Sequence, residues 1–254
     1  ICFDDILVED IYISSRIIHM MEGLSLIAEK LTQVMRNIEI AKGNRNRYFD
    51  ENVKLIAVTK NHDVNAMREA IDHGVKFVGE NRIQEAMQKV ETLNRSVEWH
   101  LIGHLQTNKA KYAVDLFDLI HSIDSERLMA EVNRVANKIN KIQKVLLQVN
   151  VSEEKNKFGI STKEIEPFLD SVGQYDHIHL CGLMTIAPHY NNVEDARPIF
   201  RELFQIFCNL KLKSFKNVSM DWLSMGMTND YMVAIEEGAN LIRVGTGIFG
   251  QRQY

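Results

Sequence analysis

The chain has 254 residues, 45% of them hydrophobic and 25% charged, with a formal net charge of −4 and an isoelectric point near 6.2. Lysines and arginines are scattered among acids without a long basic run, which disfavours a binder of nucleic-acid backbones. The three cysteines, Cys2, Cys181 and Cys208, form no CxxC pair and are odd in number. That argues against a disulfide framework and a structural zinc site, and no stretch approaches the roughly eighteen apolar residues of a membrane span.

A soluble, cytoplasmic protein is therefore expected, with no membrane and no nucleic-acid partner. A chain of this length buries roughly 70–75% of its unfolded surface without a metal or disulfide staple, and α/β barrels of about 250 residues fold as one unit. The chain begins with Ile1, and Met20-Met21 offers an alternative start. Asp4, Asp5, Glu9 and Asp10 stand where a signal peptide would carry positive charge. Residues 1–20 are read as an extension or remnant upstream of the domain, and residues 21–254 as one domain.

From Leu24, apolar residues recur at Ile27, Ala28, Leu31, Val34, Met35, Ile38 and Ala41. This is helix spacing, with Gly43 expected in the left-handed position that closes it. A polar stretch, 44–52, leads to a first strand at 53–58. Further strands are expected at 76–79, 99–103, 119–122, 145–149, 180–185, 222–224 and 241–244. Between them lie helical patterns such as 64–73, 125–141, 193–210 and 229–238, with Pro198 tolerable in a first turn. The strands read as continuous apolar runs, as they do when both faces are buried. Eight β/α units without a composition break predict an α/β protein, a single (β/α)8 TIM barrel preceded by an N-terminal helix. Periodicity alone leaves a doubly wound sheet open.

In such a barrel, binding groups sit at the C-terminal ends of the strands and in the loops after them. Strand one ends in Thr59-Lys60-Asn61, strand two in Gly79-Glu80-Asn81-Arg82, and strand three in Gly103-His104-Leu105-Gln106. A lysine leaving an apolar strand into the mouth is partly desolvated, which lowers its amine pKa and suits Schiff-base chemistry. A lysine snorkelling to solvent is the plainer alternative. Phosphate sites in barrels use the loops after strands seven and eight. There the chain has Ser224-Met225-Gly226-Met227-Thr228 and Arg243-Val244-Gly245-Thr246-Gly247, glycines and hydroxyls that let backbone N–H groups approach an anion. Arg243 shares a strand face with Gly245 and needs partners if buried. It fits a structural ion pair as well as a ligand contact. His104, Gln106 and Asn108 fit hydrogen bonding or acid/base work, and equally a structural loop network. His177 and His179 lack metal-ligand spacing. Asp221 reads as a strand-start residue, Cys181 as a buried small hydrophobe, and the charged loop at 153–159, with Lys157, as a solvated one.

The stretches LIAVTK at 55–60, FVGENRIQEA at 77–86, WHLIGHLQTNK at 99–109, LLQVNVSEEKNKFGI at 146–160, CGLMTIAP at 181–188 and LSMGMTNDYMVAIEEGANLIRVGTGIFG at 223–250 carry a family likeness. Across residues 24–252 the chain resembles the pyridoxal phosphate homeostasis family. Two departures are small: Asn61 where Thr is commoner, and Gly247 where Ala is frequent. The resemblance implies a fold-type III barrel like the N-terminal domain of alanine racemase, holding pyridoxal 5'-phosphate as an internal aldimine on Lys60. It further implies that Ser224, Gly245 and Thr246 hold the phosphate, beside Gly226 from the loop after strand seven read above, and that Asn81 and Met225 line the pocket. Arg243 would face the pyridine nitrogen and leave it unprotonated, weakening the ring as an electron sink. The expected role is intracellular cofactor homeostasis without efficient catalysis. Pyridoxal-phosphate-dependent enzymes are the candidate recipients, and a monomer is expected, since no dimer face is marked. Two other readings stay open. One is an amino-acid racemase, against which stands the end of the chain just after strand eight, where racemases carry a β domain and its second base. The other is a Schiff-base aldolase-like barrel acting on a sugar phosphate.

Overall fold

The computed structural model describes residues 25–45, 52–154 and 156–250. The expected extension at 1–20, Cys2, the helix start at Leu24 and Lys155 lie outside the described residues. Helix α1 (Leu26–Gly43) starts at Ser25, whose side chain accepts from the Ala28 N–H, satisfying one of the orphan donors of the first turn. Gly43 is its last helical residue, not the left-handed one beyond it. Asn44 ends the helix in a right-handed conformation, its N–H donating back to Ala41 and Ile40 carbonyls.

Eight strands follow, each paired in parallel with the next. They are β1 (Lys54–Val58), β2 (Phe77–Glu80), β3 (Glu98–Leu101), β4 (Leu119–Ile123), β5 (Gln143–Gln148), β6 (Ile178–Met184), β7 (Val218–Met227) and β8 (Leu241–Val244). β8 pairs back onto β1, with Ile56 opposite Arg243, so the sheet closes into a barrel. Each strand is followed by a helix: α2 (Val64–Asp72), α3 (Ile83–Leu93), α4 (Ala110–Leu116), α5 (Glu126–Lys138), α6 (Ile165–Val172), α7 (Arg197–Lys211), α8 (Tyr231–Glu236) and α9 (Thr246–Phe249). This is the (β/α)8 barrel with its leading helix. α1 lies outside the ring against α2, α8 and α9.

Strand alternation divides the core in two. Leu55, Ala57, Val145, Leu147 and Ile242 face the helices and join the large outer cluster. Their neighbours Ile56, Leu146 and Leu241 join Leu119, Cys181 and Met184 in a separate cluster that fills the inside. Both faces are buried, which is why the strands lack polar alternation. β7 is the exception. It begins four residues before the expected 222–224, because Ser219 and Asp221 alternate with Val218 and Met220 and hide the strand from a search for continuous apolar runs. Asp221 thus sits within the strand, accepting from the Ser219 hydroxyl. Pro198 falls in the first turn of α7, where its missing N–H costs nothing.

Candidate functional site at the C-terminal mouth

β1 runs out of the barrel through buried Thr59 to Lys60, and Asn61 turns the chain with φ of 61°. Asparagine tolerates that left-handed conformation better than a β-branched threonine does, which accounts for the residue found here. A buried network holds the turn from below. The Thr59 hydroxyl donates to Glu80 Oε1 at 2.6 Å. Lys89 Nζ donates to the same oxygen at 2.7 Å, to the Thr59 carbonyl at 2.8 Å and to Glu85 Oε1 at 2.6 Å. Glu85 in turn accepts the Asn61 N–H. Burial raises the Glu80 carboxyl above the ordinary carboxylate range, with the Lys89 ammonium pulling against it. Sequence reading passed over Lys89. Its signal was a lysine at a core-facing helix position, three residues after Ala86 and four before Leu93, both buried.

β8 carries Arg243 at the inner wall, 4% exposed. Its Nη2 donates to the Thr185 carbonyl at 2.8 Å and its Nη1 to the Ser224 hydroxyl. Burial brings its pKa down to about 10, partly offset by Asp230, so it stays charged at neutral pH. Burial also raises Asp230, which accepts the Met227 N–H at 2.6 Å and thereby fixes the exit of β7.

Beside Arg243 the loops after β7 and β8 meet. The Gly245 N–H donates to the Thr228 hydroxyl at 3.2 Å. At Gly247 an added Cβ would stand 2.9 Å from Val244 Cγ1 and 3.3 Å from Thr228 Cγ2, so glycine lets these loops touch. Thr228 was not singled out from the sequence, although it ends the stretch read after strand seven. Pairing with Gly245 is a contact across seventeen residues that spacing does not reveal.

Lys60, Asn81, Arg243, Gly245 and Thr246 all line one cavity of about 390 Å³, together with Thr228, Asp230 and the loop after β6 from Ile186 to Tyr190. Residues 181–188 carry family likeness, but the β6 loop was given no site role from the sequence, because it enters through the apolar residues Ile186, Ala187 and Pro188 before His189 and Tyr190. Three other expected residues are not among the lining. Ser224 and Met225 are fully buried, Ser224 beneath Arg243. Gly226 adopts φ of 90°, and a Cβ there would come within 2.6 Å of Ala234 Cβ; it packs β7 against α8. His104 also lies off the cavity. Its ring stacks on Phe158 at 3.8 Å, and its Nδ1 stands 3.5 Å from Asp124, whose carboxyl burial raises. Lys157 pairs with Glu154 at 2.8 Å. Cys181 is buried among apolar neighbours inside the barrel. His179 bonds Ser219 and His177 the Lys141 carbonyl.

The cavity is of the size that encloses a small cofactor. It presents an amine, a buried guanidinium and a hydroxyl-and-amide loop pair. Residues 30–253 match the family described as alanine racemase, N-terminal domain. The pyridoxal phosphate homeostasis protein of Aquifex aeolicus (strain VF5) is 40% identical over 89% of this chain and 98% of its own. That of Escherichia coli (strain K12) is 35% identical over 90% and 97%. The chain belongs to the pyridoxal phosphate homeostasis protein family. Among solved structures, PipY of Synechococcus elongatus PCC7942, determined with PLP bound, is 35% identical with a TM-score of 0.77, covering 88% of this chain and all of PipY. Within the homeostasis family the likeness spans the whole barrel. Of the two departures noted above, Asn61 falls where the backbone turns left-handed, and Gly247 where a Cβ would crowd the side chains of Val244 and Thr228.

Proposed function

We propose that the cavity binds pyridoxal 5'-phosphate and that the chain holds and releases this cofactor, serving intracellular homeostasis without efficient turnover of a substrate. The observation that carries the reading is the convergence of Lys60, Arg243 and the Thr228–Gly245–Thr246 loop pair on one cavity. The membership of the family and the PLP held by PipY support it.

Each residue has a chemical part. Lys60, at the end of an apolar strand and braced by the Glu80–Lys89 network, supplies the amine that takes the aldehyde carbon. Thr228, Gly245 and Thr246 face the phosphate with hydroxyl and backbone donors. Asn81 contributes a side-chain amide to the wall. Arg243 donates toward the ring nitrogen. Held by Ser224 and Thr185 and charged at neutral pH, it does not surrender its proton, so the ring nitrogen stays unprotonated. When bound, the cofactor supplies an electrophilic aldehyde and a conjugated ring, and a neutral ring nitrogen keeps that ring a poor electron sink. Holding is favoured over decarboxylation or transamination. Ser224, Met225 and Gly226 act from behind the cavity wall, Ser224 by fixing Arg243.

The same proposal takes residues 21–254 as one functional domain with 1–20 outside it, and takes the protein as a cytoplasmic monomer that passes its cofactor to pyridoxal-phosphate-dependent enzymes. Among the described residues no helix is long and apolar enough to cross a membrane. The test is the visible spectrum of the purified protein before and after borohydride, which delivers hydride to a C=N bond and leaves a secondary amine. A violet-absorbing band that becomes fixed on Lys60, and is missing in Lys60→Ala, is the expected result. A protein that takes up no added pyridoxal 5'-phosphate overturns the reading. Accumulation of a racemised amino acid well above background would assign turnover instead of holding.

A further inference from the structure

Inside the barrel four polar side chains from four strands form a continuous hydrogen-bonded file. Arg243 Nη1 on β8 donates to Ser224 Oγ on β7. Ser224 Oγ lies 3.0 Å from His121 Nδ1 on β4, and His121 Nε2 lies 3.1 Å from His100 Nδ1 on β3. His121 is wholly buried and His100 is 3% exposed. His100 Nε2, the far end, has no hydrogen-bond partner among the described residues and stands 3.9 Å from Glu98 Oε2. It borders a cavity of about 460 Å³ at the other mouth, lined among others by Lys54, Glu98, Asp118, Lys141 and Lys144. Lys54, Glu98 and Leu119 begin their strands and Lys144 is second in its own, so this is the N-terminal end of the barrel. Buried histidine pairs are costly, and here they lie beside an apolar cluster of Ile56, Leu119, Leu146 and Leu241 that packs the inside of the barrel.

The geometry points to a relay: His100 and His121 carry the protonation state of the N-terminal mouth through Ser224 to Arg243 at the cofactor cavity. They are positioning residues, and the effect on the cofactor rests on the reading of the cavity given above. The direction of the relay follows from its ends. A guanidinium only donates, so Ser224 Oγ accepts from Arg243, and the arrangement that also gives the hydroxyl proton an acceptor turns it to His121 Nδ1. His121 then carries its hydrogen on Nε2 and donates to His100 Nδ1, and His100 carries its hydrogen on Nε2, toward Glu98. The Ser224–His121 and His121–His100 contacts are then each satisfied with both rings neutral. Burial favours that state, lowering the pKa of both histidines, and His100 and Arg243 lower that of His121 further.

Protonating His100 reverses the file. One proton is taken from solvent, and His100 then donates from both nitrogens, so its Nδ1–H meets the Nε2–H of His121. Two donors cannot share a 3.1 Å contact. The file is relieved when His121 gives its Nε2 proton to His100 Nδ1 and the added proton comes to rest on His121 Nδ1, so that His121 accepts from His100 and donates to Ser224. Ser224 then accepts from His121 and Arg243 at once, and its hydroxyl proton loses its acceptor. The grip on the guanidinium is rearranged and a positive charge is added inside the barrel. Around His100 the groups that set the transition are Glu98 and Asp118, which favour protonation, and Lys54, which opposes it. Lys141 and Lys144 line the same mouth, and His121 faces His100 and Arg243.

Histidine ¹⁵N NMR on the protein without cofactor tests the relay directly. At neutral pH both rings should be neutral with the hydrogen on Nε2. On acidification His100 should protonate below the ordinary histidine range while His121 switches to Nδ1–H in the same transition. If His121 keeps its tautomer through the titration of His100, or shows Nδ1–H at neutral pH, the relay is wrong. The second arm follows the visible band of the loaded protein. His100→Asn keeps an acceptor near the Nδ1 position and does not titrate, so its neutral-pH spectrum should match wild type while the acid transition disappears. An acid transition unchanged in His100→Asn overturns the coupling to the cofactor. Failure of the protein to bind cofactor would leave the NMR arm intact, which separates an error about the cavity from an error about the relay.

Discussion

Replacing Lys89 by methionine should cost this protein about 3–5 kcal/mol at neutral pH, the usual penalty for removing one partner of a buried ion pair. Glu80 is 0% exposed and Lys89 6%, and a single ammonium makes three bonds of 2.6–2.8 Å to Thr59, Glu80 and Glu85. Methionine keeps the volume and removes all three. The Glu85 contact, more open to water, adds little; the uncompensated Glu80 dominates. At about 2–4 °C per kcal/mol for a barrel of this size, the melting temperature should fall by roughly 6–20 °C. The loss should depend on pH with a definite sign. The Glu80 carboxyl is already raised in the folded state, so its contribution favours folding on the acid side and is lost as pH rises from the ordinary carboxylate range through the folded value. Without Lys89 the raised value climbs further, and Glu85 adds to the repulsion. The deficit against wild type should therefore shrink as pH falls, and Glu80→Gln in the same background should recover much of it. Thermal melts followed by circular dichroism, at neutral and mildly acidic pH, measure all of this. An unchanged melting temperature, or a deficit that does not respond to acid, would refute the argument. Because Lys89 and Glu85 also hold the backbone on either side of Lys60, cofactor uptake should slow in the variant even where it remains folded.

Two further expectations follow from the site and the interior. Thr228→Val removes the hydroxyl that accepts the Gly245 N–H and faces the proposed phosphate; losing a hydrogen bond to a charged group at about 1.5–3 kcal/mol should weaken cofactor binding roughly 10- to 100-fold in a fluorescence titration, and an unchanged affinity would remove Thr228 from the cradle. Cys181, with its thiol pushed up to about 12 mainly by burial, should resist thiol reagents in the native protein and become labelled only as urea unfolds the barrel; mass-resolved labelling at the rate of a free thiol would contradict its placement.

What the sequence determined by itself was the repeat and its chemistry. Continuous apolar strands such as 55–58 and 241–244, each followed by a helical pattern, encode eight β/α units because local periodicity is a property of neighbouring residues. Once the repeat is known, the rule that function gathers at strand C-termini brings Lys60, Arg243, Gly245 and Thr246 to one mouth, and the structure finds them on one cavity. Family motifs add the cofactor class, which no spacing reveals. Closure of the sheet, by contrast, depends on β8 reaching β1, a pairing across nearly two hundred residues that periodicity cannot carry. The same holds for the individual roles inside the site. Ser224 and Thr228 are both hydroxyls near one strand end, yet across the register shift of β7 and the left-handed Gly226 the first is buried beneath Arg243 and the second is on the cavity. Lys89 occupies a core-facing helix position in the sequence pattern, but only the packing of α3 against β2 brings it onto Glu80. The file from His100 to Arg243 joins four strands, and side chains so far apart in the chain acquire a common hydrogen-bond direction only when the barrel closes and excludes the water that would otherwise serve each of them separately.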